Sequence, residues 1–135
     1  MGDRGQVRIV KGKSVPDEYD HDIFLYTHWG SHKLDSDVRI ALLRAKKDGR
    51  LDDAEYLSRI VFCQMVGQDT EGTTGYGISC SEHGDINLLI TIDLDQNKVT
   101  EFRQYGDDGA DEREYTKEYE WQSIEFFIEG EVSVG

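Results

Sequence analysis

Tyr26-Thr27-His28-Trp29-Gly30-Ser31-His32 is the one stretch where side chains able to do chemistry crowd together. A run that reads as a β-strand ends there in two imidazoles, an indole and a glycine. Imidazole titrates near neutral pH, so each histidine is a candidate metal ligand, proton carrier or hydrogen-bonding group. His28 and His32 stand four apart, the spacing that sets two zinc ligands on one helical face in H-E-x-x-H. Here no Glu follows His28, and Gly30 with Ser31 argues against a helical register through the segment. Any further ligands would come from His21, Asp22, Cys80 or His83. We therefore assign no metal and no cofactor.

Two other patterns begin like known sites and fail. Asp93-x-Asp95-x-Asn97 opens like a calcium loop, but Lys98 stands where glycine is needed and Gln104 where glutamate is needed, so a hairpin turn is the better account. Gly67 to Thr74 has the glycine spacing of a phosphate-binding loop. Thr73 replaces its lysine, and Asp69 and Glu71 would repel a triphosphate. What remains is Gly72-Thr73-Thr74-Gly75-Tyr76-Gly77-Ile78-Ser79, whose glycines allow close backbone approach and whose hydroxyls can bond a ligand. It reads equally as a tight turn entering a strand. For nucleophilic catalysis the candidates are Cys63, Cys80 and Ser79, with His28, His32 or His83 as bases. No local signature joins them, and Cys63 reads as core.

The elements that must position these residues follow from hydropathy patterning. Gln6 to Lys11 and Asp22 to His28 read as two antiparallel strands, joined by a polar loop that holds Pro16. Val38, Ala41, Leu42 and Ala45, widened by Ile40 and Leu43, make an amphipathic helix from Ser36 to Lys47, capped by Asp35 or Ser36 and stopped at Gly49. A second helix starts at Asp52, with Glu55 three residues on, and runs through Leu57, Ile60, Val61 and Met65. Tyr56, Phe62 and Cys63 add so much apolar surface that we expect it to be buried. Strands follow at Gly77 to Ser81, Asn87 to Asp93, Lys98 to Tyr105 and Tyr119 to Glu129. In the last, a bulge near Gln122 and Ser123 would bring Trp121 into step with Ile124, Phe126 and Ile128. The expected fold is α+β: an antiparallel sheet of five or six strands with a two-helix hairpin on one face, in the order β-β-α-α-β-β-β-β.

The 135 residues suit a single domain over 1–135, with the acidic segment 107–120 as a loop. The longest mainly apolar run, Ile86 to Ile92, is far short of a membrane span. With no apolar leader and two cysteines, the expectation is a reduced, cytoplasmic protein without membrane contact. A net charge of −13 disfavours direct binding of nucleic acid, which needs surplus Lys and Arg. The acid is uneven: from Asp107 to Glu129 nine Asp and Glu face only Arg113 and Lys117, a local net of −7.

Met1-Gly2-Asp3-Arg4, Leu25-Tyr26-Thr27-His28-Trp29-Gly30-Ser31, Asp52 to Ile60 and Thr73-Thr74-Gly75-Tyr76-Gly77-Ile78-Ser79 together resemble a family of small proteins of bacteria, archaea and their viruses. That family has a second glycine after His-Trp-Gly, where this chain has Ser31, and the acidic segment from Asp107 lies outside the likeness. The resemblance implies no mechanism. Its viral occurrence implies an inhibitor that blocks a host defence by binding its protein or its signalling nucleotide.

Two functional expectations result. In the first, a non-enzymatic binding protein presents Asp107, Asp108, Asp111, Glu112 and Glu114 to a basic protein partner, with Tyr115, Tyr119 and Trp121 as aromatic anchors. In the second, Tyr26, His28, Trp29 and His32 face Thr74 and Tyr76 across a small-molecule site for a nucleotide-like ligand, with Arg4 or Arg8 offsetting its charge. A small hydrolase with His28 as general base is the catalytic variant.

Overall fold

A computed structural model describes residues 3–11, 22–71, 75–82, 84, 86–105 and 116–130. The chain runs β1 (Gly5–Val10), β2 (Ile23–Thr27), α1 (Ser31–Lys47), α2 (Ala54–Val66), β3 (Tyr76–Ser79), β4 (Leu88–Asp93), β5 (Lys98–Tyr105), β6 (Thr116–Ser123) and α3 (Ile124–Gly130). The architecture is α+β, with one six-stranded sheet in the order β3-β2-β1-β4-β5-β6.

The sheet is mixed, which corrects the expected antiparallel one: β1 and β4 pair in parallel, Val7 opposite Ile90, while every other pair is antiparallel. A parallel pair needs a long crossover, and the chain supplies one by passing from edge strand β3 across β2 and β1 to reach β4. Hydrogen bonds from β1 and the residue before it hold that path. Gln6, fully buried, donates from Nε2 to Ser81 O, and Asn87 N–H donates to Arg4 O at 2.8 Å.

Val7, Ile9, Leu25, Leu88, Ile90, Ile92 and Val99 line one face of the sheet, and the helices bury Val38, Ala41, Leu42, Ala45, Leu57, Ile60, Val61 and Met65 against it. The apolar stripe of α1 is narrower than expected, because Ile40 and Leu43 lie exposed. Nor is α2 buried all round: Tyr56 and Cys63 are exposed, which removes Cys63 from the core.

Three boundaries differ from the sequence reading, each for a local reason. Helix α1 starts at Ser31 rather than Ser36, with Gly30 as N-cap and no side-chain cap of its own. Its first donors are taken from outside the helix: Ser31 N–H donates to Asp3 O at 3.0 Å, and His32 N–H to Asp3 Oδ2 at 2.9 Å. The cap of α2 is Asp53, not Asp52, and it accepts from Tyr56 N–H. The last strand stops at Ser123 and no bulge forms there. Ser123 Oγ accepts from Phe126 N–H and opens α3, which buries Ile124, Phe127 and Ile128 and exposes Phe126. That spacing of one, four and five is helical.

Candidate functional site

Buried Thr27 ends β2 by accepting Gly30 N–H on Oγ1 at 2.9 Å. A Cβ at Gly30 would stand 2.7 Å from that oxygen, so the turn out of the strand requires glycine. His28 extends the ladder one step past β3, its N–H donating to Gly75 O at 2.8 Å. Its side chain then points to the same side of the strand as Tyr26, two residues back. The Tyr26 hydroxyl lies 3.0 Å from His28 Nδ1, and the Trp29 ring meets His28 edge-on at 4.5 Å. Trp29 is 61% exposed, yet its ring is seated on Gly75, where φ is +80° and a Cβ would come within 2.5 Å of it. Tyr26, His28, Trp29 and Gly75 are thus one unit: an exposed aromatic platform with its imidazole held by a phenol.

His32 belongs elsewhere. Its Nδ1 lies 2.5 Å from Asp3 Oδ2, and the same carboxylate receives the Ser31 hydroxyl. Partial burial would push the Asp3 carboxyl up, but the hydrogen bonds from Ser31 and His32 outweigh it and hold Asp3 below its ordinary value. Ser, Asp and His meet here in the wrong order for nucleophilic catalysis. The carboxylate sits between the other two, so no imidazole takes the hydroxyl proton. The cluster is a helix cap.

Tyr76 faces the helix side of the sheet, away from the platform. Lys33 on α1 reaches past it, donating to Asp37 Oδ2 at 2.7 Å and to Met65 O at 3.0 Å, with its ammonium 5.9 Å from the Tyr76 ring centre. Burial opposes the charge of Lys33, but the Asp37 carboxylate more than compensates and raises its pKa. Beyond Tyr76 opens a cleft of about 300 Å³, walled by Phe62, Val66 and Tyr76 and rimmed by Cys63, Asp69 and Thr70.

The residues expected at a ligand site therefore divide. Tyr26, His28 and Trp29 come together, His32 turns to Asp3 at the start of α1, Tyr76 lines the cleft, and Thr74 lies outside the described residues. Arg8 is held by Asp22, at 2.5 Å from Nη2, whereas Arg4 bonds Asn87 through its backbone, its N–H donating to Asn87 Oδ1. Cys80 is exposed, and Ser79 Oγ donates to Ser81 O. Asp107, Asp108, Asp111, Glu112, Glu114 and Tyr115, like His21 and His83, lie outside the described residues; Tyr119 and Trp121 fall on β6, opposite Phe102 and Thr100. Among the described residues no three His, Cys, Asp or Glu converge to hold a metal. Asp93 Oδ1 accepts from Asp95 and Gln96 N–H, so this carboxylate builds the expected turn.

Sequence reasoning missed two features. One is the cleft, whose walls come from α2 and β3; the half-apolar flank Phe62 and Val66 was its only trace. The other is a charged cluster joining α1, β5 and α3. Arg39 pairs with Asp35 at 2.7 Å, donates to Phe127 O at 2.9 Å and lies over the Phe127 ring, while Arg103 donates to Glu101 at 2.8 Å. Burial, and next the negative charge of Asp35, push the Glu101 carboxyl up against the pull of Arg103.

No family model, no curated protein and no solved structure matches the chain.

Proposed function

We propose that the protein acts by binding, and that its acidic surface engages a basic protein partner such as a nucleic-acid-binding or defence factor. The observation that carries this reading is the charge distribution: −13 overall, with −7 between Asp107 and Glu129. Asp107, Asp108, Asp111, Glu112 and Glu114 supply the field that steers the partner, and Tyr115, Tyr119 and Trp121 the contact area. Encounter driven by charge is screened by salt, because the Debye length falls from roughly 10 Å at 0.1 M to about 3 Å at 1 M. Native mass spectrometry on protein gently purified from its own cells tests the reading. A basic protein should accompany the chain at low salt, leave as salt rises, and be lost when the five acids become Asn and Gln. Equal retention by that neutral variant overturns it.

Trp29 favours a second reading. An indole exposed to this extent, backed by a glycine and next to a hydrogen-bonded histidine, is suited to stacking on a planar small molecule. In the same spectrum this predicts a small added mass that disappears in His28→Ala/Trp29→Ala while the fold survives.

A further inference from the structure

We propose that the cleft at the C-terminal end of α2 binds a small organic cation, with an apolar body against Phe62, Val66 and Tyr76 and an ammonium group on Asp69. Its volume of about 300 Å³ is at the lower end of ligand sites, room for one ring system and too little for a dinucleotide. Two of its walls are aromatic, and an aromatic face attracts a cation as well as an apolar group.

The charge that lines the cleft is negative. Among the described residues, Asp69 is its one charged lining residue. The last turn of α2 carries no basic residue of its own, so α2 itself brings no cation to this end of the cleft. The Lys33 ammonium, behind Tyr76, takes up Met65 O of that last turn, and its charge is offset by the Asp37 carboxylate 2.7 Å away. Arg59 lies one turn back along α2, its guanidinium 3.8 Å from Cys63 Sγ on the outer rim. The field of a chain at −13 adds to the preference for cations and works against anions such as nucleotide phosphates. The site shares no residue with the acidic segment or with the Trp29 platform, so it stands or falls apart from both readings above.

Titrating the ¹⁵N-labelled full chain with phenethylammonium, and with phenethyl alcohol and 3-phenylpropionate as neutral and anionic counterparts, decides the matter by NMR. The cation should give saturable amide shifts centred on residues 66–70 and Tyr76, the alcohol weaker ones and the anion none. Asp69 is exposed, so Asp69→Asn should leave the rest of the spectrum in place while weakening cation binding about tenfold or more. Val66→Trp should fill the cleft and abolish the shifts. Shifts that survive Asp69→Asn unchanged, equal shifts from the anion, or no saturable shift from any probe would overturn the proposal. So would an oligolysine peptide that perturbs these amides where phenethylammonium does not, since the cleft would then belong to a protein partner.

Discussion

Gly75 holds the aromatic platform by having no side chain. At φ +80° any other L-residue is strained, and even a methyl group would collide with Trp29. Gly75→Ala should cost about 1–3 kcal/mol in urea unfolding and shift the Trp29 emission as the ring is displaced; unchanged emission would mean that the indole does not rest there. Glu101 makes the opposite case, a side chain whose charge is a burden. Its folded pKa is raised above the ordinary 4.5, so the folded state binds more protons and stability falls as pH rises from there through the raised value. Glu101→Gln keeps an acceptor for Arg103, offers Asp35 a donor, and cannot ionise. It should raise the melting temperature at pH 7, with the gain shrinking toward pH 4. A variant less stable than the parent at pH 7 would show that the Arg103 pair outweighs the burial.

At the scale of elements, the entry to α1 depends on a residue far from it in sequence. Asp3 serves the first donors of a helix that begins at Ser31, so Asp3→Ala should cost about 1 kcal/mol, and amide exchange should quicken at residues 31–34. The folded pKa of Asp3 lies below the ordinary 3.8. Its stabilisation is therefore complete above that value and lost as pH falls through the lowered one, and parent and variant should converge in acid. A gap that persists at pH 2 would assign the effect to packing. The same dependence explains why the helix starts earlier than its sequence predicts: Asp35 and Ser36 are local cap candidates, whereas Ser31 and His32 are served by Asp3. Helix α3 is legible in the sequence, since Ser123 followed by Ile124, Phe127 and Ile128 is a cap with a helical stripe. The β-rich run ahead of it favours a longer strand, and that register puts Phe126 with Ile124 and Ile128, whereas the helix exposes it.

For the whole molecule, local patterning was enough for the α+β class, five of the six strands to within a residue or two, both long helices, the Asp93 turn and the stop at Gly49. Each depends on residues within a few positions of one another. The charge of −13 was legible too, because it is a sum over residues and needs no coordinates. Tertiary structure decided what depends on distant partners. It set β4 beside β1 in parallel, although alternation of apolar residues specifies a buried face and not the direction of the neighbouring strand. It separated His28 from His32, four residues apart, by placing a strand end and a helix start between them. It seated Trp29 on Gly75 and sent Tyr76 to the opposite face, because successive residues of a strand point to opposite sides. A sequence determines which side chains are available and what each local segment prefers; which of them meet is decided when the segments pack and bury their apolar faces together.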